Sequence, residues 1–147
     1  MEFTNVVETR RSVREYDASR KVERSVVEEI IKEASYAPSW KNSQTARYHC
    51  IMSEDIIKEV EQECLPEFNA KNADGASAII VASFVNHRSG FERDGSKSNE
   101  LGDGWGCYDL GLNNMIFLLK AHELGLSTLV MGLRDEKKIK ELLNIGD

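Results

Sequence analysis

The sequence predicts an α+β sandwich, a small central sheet flanked by helices. Three observations lead there. Apolar residues recur at helical spacing in separate stretches, Val26 to Ala34 being the strongest. Ala76 to Val85 is a nearly unbroken run of small and apolar residues, the pattern of a strand buried on both faces. Cys107 to Leu124 is apolar on several sides (Leu110, Leu112, Met115, Ile116, Phe117, Leu118, Leu119), which predicts a long, central, buried helix.

Element by element, residues 4–11 read as a short first helix capped by Thr4 or Asn5, with Val6 and Val7 as its apolar contacts. Residues 23–36 form a stronger helix, with Val26, Val27, Ile30, Ile31 and Ala34 on one face and Glu28, Glu29, Lys32 and Glu33 on the other; Pro38 stops it. Residues 45–52 alternate imperfectly, as in a strand. Ser53 caps a third helix carrying Ile56, Ile57 and Val60, and Pro66 follows its end. Asn86 to Gly106 is a polar loop, long enough to be either functional or disordered. Gly125 ends the long helix, Ser127 to Met131 is a short strand, and Asp135 caps a last amphipathic helix with Ile139, Leu142 and Leu143. Three strands make a thin sheet. Such a chain is expected to need a partner to finish its core.

Bulk properties narrow the function classes. The 147 residues are enough for one domain with a single core, so residues 1–147 are expected to be one domain. A hydrophobic share of 41% against 30% charged residues is that of an ordinary folded protein. The net charge of -6 argues against a general nucleic-acid binder, whose affinity rests on a basic surface. Cys50, Cys64 and Cys107 are scattered and odd in number, which argues against a disulfide framework and a zinc site and fits reduced thiols in a cytoplasmic protein. No apolar run has the length of a membrane span, and the polar start is no signal peptide. His49, His87 and His122 are isolated and assemble no metal or nucleophile–base constellation.

Two segments stand out against this background. Arg10-Arg11-Ser12-Val13-Arg14 puts three arginines and a hydroxyl within five residues, and guanidinium forks bind phosphate by charge-assisted, often bidentate hydrogen bonds. Ala37-Pro38-Ser39-Trp40-Lys41-Asn42-Ser43-Gln44 follows a helix and offers amides, which present donors and acceptors together, as the edge of a heterocyclic ring requires. The pair suggests a phosphorylated, ring-bearing cofactor. Each segment also has a plainer reading. The arginines suit a solvated helix C-terminus, and Trp40 suits a core or interface anchor. Gly102-Asp103-Gly104-Trp105-Gly106 follows no predicted strand and is not read as a dinucleotide-binding loop. It serves better as a hinge of the 86–106 loop, with Phe91 and Trp105 then covering a ligand; Trp105 equally suits a core anchor.

Found together at this spacing, Arg10 to Tyr16 and Ala37 to Gln44 resemble the N-terminal signature of the nitroreductase family of FMN-dependent NAD(P)H oxidoreductases. The strand near residue 80, Tyr108, Asp109 and Asn114 on the long helix, and Ala121 to Leu126 leading into Met131-Gly132 extend the resemblance over most of the chain. It implies a mixed or antiparallel central sheet and FMN as cofactor. In that frame Arg10, Arg11 and Ser12 belong to the cluster holding the phosphate or ribityl chain. Arg14 lies near the N1–C2=O edge of the ring, where a cation stabilises the negative charge of reduced flavin and raises its potential. Family members are dimers with sites at the interface. The resemblance therefore brings Pro38, Ser39, Trp40 and Asn42 to the FMN of the opposite subunit of a homodimer, and Gln44 to the loop itself or the ribityl chain. Asn69 and Lys71 are implied to reach the flavin, or are solvated loop residues. Met131, Gly132 and Leu133 are implied to present backbone N–H groups to N5 and O4, glycine permitting close approach, or form an ordinary turn.

The implied reaction is a ping-pong transfer. NADH or NADPH delivers hydride to flavin N5, and a nitroaromatic, quinone or similar acceptor then takes its place. The protein supplies orientation and electrostatics, and no side chain is nominated as catalytic. A flavin-binding or interaction module of the same family that no longer turns over is the alternative. The family pattern continues with another strand, then a tail that embraces the other subunit and adds basic residues to the phosphate site; the sequence stops at Gly146-Asp147, before them.

Overall fold

The computed structural model describes residues 2–146. Six helices and two strands follow one another: α1 (Phe3–Thr9), α2 (Arg24–Ala34), β1 (Ala46–Ile51), α3 (Glu54–Glu63), α4 (Glu67–Ala73), β2 (Ile79–Phe84), α5 (Gly104–Glu123) and α6 (Glu136–Leu143), with a 3-10 turn at Trp40–Asn42. β1 and β2 pair as a two-stranded antiparallel sheet. The architecture is α+β, as expected. Contacts group the chain into two interleaved units. The first holds residues up to Arg10, Arg24–Tyr48 and Ala82–Gly125; the second holds Arg11–Glu23, His49–Val81 and the chain from Leu126 on.

In the first unit α2 and α1 pack on α5. The apolar face predicted for α2 is the buried one, with Val27, Ile30 and Ala34 inside. α5 closes on β2 at Gly106, where a methyl group would run into the Phe84 ring, so the approach depends on the missing side chain. Gly125 adopts φ +79 and donates its N–H to the His122 carbonyl at 2.9 Å, ending α5 where the sequence placed the stop.

The second unit has its own core of Ile51, Ile57, Val60, Cys64, Ile79 and Ile139. Burying a side chain of this kind contributes about 1.5–3 kcal/mol. α3 and α4 pack together. Burial pushes the Cys64 thiol pKa up, which keeps it an inert core group. The Asp135 carboxylate accepts the Lys138 N–H at 3.1 Å, the expected cap of α6.

Several expectations are corrected. α1 begins at Phe3 with Glu2 as its cap residue and no side-chain cap bond, so neither Thr4 nor Asn5 caps it. Ser53 stands at the N-cap of α3 but makes no side-chain cap bond either. Asn69 and Lys71, for which solvated loop positions were one alternative, lie on a helix, α4, with Pro66 at its N-cap. Ser127 to Met131 is not a strand; a single parallel bridge joins Thr128 to Ser12, too little for a ladder. Within β2 only Ile79 is buried, because a two-stranded sheet leaves the rest half covered and Ala82 exposed. α5 starts three residues earlier than expected, so Trp105 lies in its first turn. Its buried positions are Gly106, Asp109, Asn113 and Ala121. Leu110, Leu112 and Ile116 to Leu119 are half-buried, while Tyr108 and Met115 are exposed. The 86–106 loop is ordered by turns and an antiparallel bridge between Phe91 and Lys97, with the Ser98 N–H donating to the Gly90 carbonyl at 2.8 Å.

Candidate functional site

The residues singled out in the sequence fall into two patches, one in each unit. In the second unit Arg11 to Arg14 is extended chain. The Val13 N–H donates to the Thr128 carbonyl at 3.1 Å, and the parallel bridge fixes Ser12 beside Thr128. Arg11, Ser12 and Arg14 are exposed. Among the described residues the Arg14 guanidinium makes one hydrogen bond, to the Ser12 carbonyl at 3.4 Å, and leaves most of its donors for another acceptor. Tyr16 donates its hydroxyl to the Val13 carbonyl at 3.1 Å and pins the far end of the run. Burial raises the Tyr16 pKa, with the Arg14 charge opposing.

Met131, Gly132 and Leu133 follow Thr128 in the same unit, with Gly132 and Leu133 exposed. The Asn69 side chain, on α4 and 4% exposed, donates to the Leu133 carbonyl at 2.9 Å. Asn69 thus holds the 131–133 segment in place. Lys71, two residues on, is exposed in the last turn of α4. A shallow cavity of about 580 Å³ in the same unit is lined by Cys64, Pro66, Leu133, Arg134 and Asp135 among others.

The other patch is the 38–44 loop of the first unit. Lys41, Asn42 and Gln44 have φ of 47, 54 and 50, the left-handed region that side chains disfavour. Such strain persists only where surrounding contacts over-determine the backbone, and it concentrates at ligand clamps. The contacts are explicit. The Ser39 hydroxyl accepts the Gln44 N–H at 2.9 Å. The Trp40 N–H donates to the Asp109 carboxylate at 3.0 Å, and the Trp40 ring packs on Trp105 with centroids 4.6 Å apart. Lys41 Nζ sits 5.7 Å from the Trp40 ring centroid and pairs with Glu92 at 2.9 Å. Pro38, Asn42 and Gln44 are exposed, and Ser39 and Trp40 half-buried. Trp40 Nε1 is buried with no hydrogen-bond partner. An unpaired buried donor is costly, and an acceptor-bearing ligand would satisfy it. Arg10, half-buried, closes α1 in this same unit, its N–H donating to the Val6 carbonyl at 3.1 Å. Phe91 is buried, and the Trp105 indole N–H donates to Asn99 Oδ1 at 3.0 Å, so both are anchors of the unit's interior.

Asp109 is one of the long-helix residues that extend the resemblance. It is buried, and its Oδ2 accepts from Trp40 N–H and from the Ser89 hydroxyl at 2.6 Å. The sequence carries a signal for it: Gly106, Asp109 and Asn113 are spaced three and four apart, on one face of a helix rich in apolar residues. Among the described residues no group of histidine, cysteine and carboxylate side chains is placed to hold a metal, and no helix is long and apolar enough to cross a membrane.

The residues fit a flavin mononucleotide. Exposed guanidinium and hydroxyl groups suit a phosphate or an anionic ring edge. Exposed amides and the orphaned indole N–H suit the polar edge of a heterocycle.

Comparison with known proteins gives the family. The family model "Nitroreductase family" matches residues 7–79 and 65–147. YdgI of Bacillus subtilis (strain 168), provisionally named an NAD(P)H nitroreductase, is 33% identical over 102 residues, which is 69% of this chain and 48% of that protein. The chain therefore spans about half the length of this curated relative. A nitroreductase family protein of Clostridium novyi NT superposes with a TM-score of 0.81 at 24% identity, over 100% of this chain and 78% of its own. A protein of Exiguobacterium sibiricum 255-15, solved in complex with FMN and provisionally named a nitroreductase, gives 0.79 at 23% identity, over 100% and 82%. The last two likenesses establish the fold. With the family match running along almost the whole sequence, the chain belongs to the nitroreductase family.

Proposed function

We propose that this chain is an FMN-dependent oxidoreductase that carries reducing equivalents from NADH or NADPH to a nitroaromatic, quinone or similar acceptor in ping-pong order. The observation that carries this reading is the 38–44 loop. In a chain of this family it holds a left-handed turn, exposed amides and an orphaned buried indole N–H. When bound, FMN supplies hydride acceptance and donation at N5.

The chain's own residues bind and orient. Arg10, Arg11 and Ser12 hold the phosphate or ribityl chain. Arg14 places a cation toward the N1–C2=O edge and favours the reduced, anionic ring. Asn69 fixes Leu133, so that the backbone N–H groups of Met131, Gly132 and Leu133 can meet the N5 and O4 side. Lys71 is a second cation toward the flavin. Pro38, Ser39, Trp40 and Asn42 reach the FMN of a second copy, with Gln44 bracing the loop. No side chain need move a proton.

The 147 residues act as one FMN-binding domain, because the chain passes back and forth between the two units rather than completing one before the other. A homodimer is supported by apolar side chains exposed in the first unit, Phe3, Tyr36, Tyr108 and Met115 among them. A cytoplasmic setting suits three thiols that form no disulfide and a nicotinamide donor. Titrating the chain with FMN while following flavin fluorescence and sedimentation tests the reading. Saturable quenching on a dimeric species supports it, and the absence of FMN binding refutes it.

A further inference from the structure

We propose that Asp109 is the positioning residue of the 38–44 loop, fixing the strained turn in the form that receives FMN; the inference rests on the flavin reading above. Ser89 Oγ has a single proton and donates it to Asp109 Oδ2 at 2.6 Å. Its lone pairs are then open to the Ser43 hydroxyl at 2.7 Å and the Thr45 hydroxyl at 3.3 Å. Both of these must donate toward Ser89, since its proton is spent. The Trp40 backbone N–H reaches the same Oδ2 at 3.0 Å. Every donor in the network therefore runs toward one carboxylate oxygen. Asp109, Ser89 and Thr45 are each 2% exposed or less, so water offers no replacement acceptor.

The network ties both ends of the left-handed stretch. Trp40 enters it and Ser43 and Thr45 leave it, while Lys41, Asn42 and Gln44 between them carry the positive φ angles. Asn113 donates its side-chain amide to the Asp109 carbonyl at 3.0 Å, which braces the same turn of α5. Ser89 belongs to the 86–106 loop, so one carboxylate seats both loops of the unit. Remove the acceptor and Trp40 N–H and Ser89 lose their common anchor, and the strained turn relaxes.

Trp40 and Trp105 are the two tryptophans of the chain, their ring centroids 4.6 Å apart and the planes tilted by 49°, so their coupled ultraviolet circular dichroism reports the loop directly. The test compares D109A, D109N and S89A with wild type by amide hydrogen exchange, by that dichroism and by FMN titration. For D109A, Trp40 N–H exchange is expected to rise about a hundredfold with α2 unchanged, as in local opening. The tryptophan couplet is expected to be lost, and the FMN Kd to rise about tenfold or more, the scale of one lost charged hydrogen bond. D109N keeps an oxygen acceptor and is expected to restore the couplet and Trp40 protection. S89A is expected to fall between them. Wild-type protection of Trp40 in D109A, or D109N as damaging as D109A, overturns the proposal. So does a released loop with unchanged FMN affinity. If D109A does not fold, D109N and S89A decide on the same readouts. Wild type that binds no FMN refutes the flavin reading instead, and the exchange and dichroism arms still decide whether Asp109 holds the loop.

Discussion

The Asn69 side-chain amide donates to the Leu133 carbonyl at 2.9 Å from a buried position on α4. A buried amide spent on one backbone carbonyl fixes the segment that carries that carbonyl. Asn69→Ala leaves the Leu133 carbonyl without this donor and is expected to lower stability by about 1–3 kcal/mol. Denaturant midpoints measure this, and an unchanged midpoint would show that the bond adds nothing to holding the 131–133 segment.

Gly106 is the contact point between α5 and the Phe84 ring. Gly106→Ala gains helix propensity of about 1 kcal/mol, but its methyl group overpacks against the ring, which costs about 1–3 kcal/mol. Steric cost is expected to win, giving a net loss of stability. Adding Phe84→Ala should remove the clash, so a thermodynamic cycle over the pair should show positive coupling. Additive effects would contradict the close approach.

Arg14 is exposed and makes one weak contact, to the Ser12 carbonyl. Arg14→Ala should leave stability within about 0.5 kcal/mol, as for surface positions generally. It should weaken FMN retention and lower the flavin potential. An unchanged potential in the fully loaded variant would remove Arg14 from the ring edge.

Burial pushes the Tyr48 pKa up to about 12 from 10.0, and its hydroxyl donates to Asn114 Oδ1 at 3.0 Å. The folded state therefore holds the phenol proton more tightly than the unfolded chain. Stability from this group is fully present below pH 10 and falls as the pH rises from 10 toward 12. Tyr16 shifts in the same direction. Unfolding followed across that alkaline range should show the decline, and Tyr48→Phe should flatten part of it. An identical slope in the variant would contradict a protonated, buried phenol.

Much of this was legible in the sequence, for physical reasons. The α2 and α6 faces follow from apolar spacing that the fold then buries, and Asp135 caps because its carboxylate reaches an orphan N–H. α4 was not legible. It is only seven residues long and leaves its one large apolar side chain, Phe68, exposed, so no amphipathic period marks it. The 127–131 stretch has β-forming residues, but a strand exists only by pairing, and Thr128 meets Ser12 through a single bridge. The leucines of α5 predict a buried helix, yet its buried positions are the small and polar ones, Gly106, Asp109, Asn113 and Ala121, of which Asp109 seats the loops. The arginine run and the 38–44 loop were legible because charge and amides stand out in an acidic chain. The hold of Asp109 on Trp40 was not, since it joins positions 69 residues apart.

The central claim is flavin-mediated transfer, and its most direct measurement is the visible absorption spectrum of the purified chain. The spectrum is taken after loading with FMN and removing the excess, then again on adding NADH or NADPH without oxygen. The account predicts flavin bands that stay with the protein and bleach with the nicotinamide donor. A protein that carries no flavin after loading would contradict it, and bands that persist unbleached with both donors would contradict turnover while leaving a flavin-binding module.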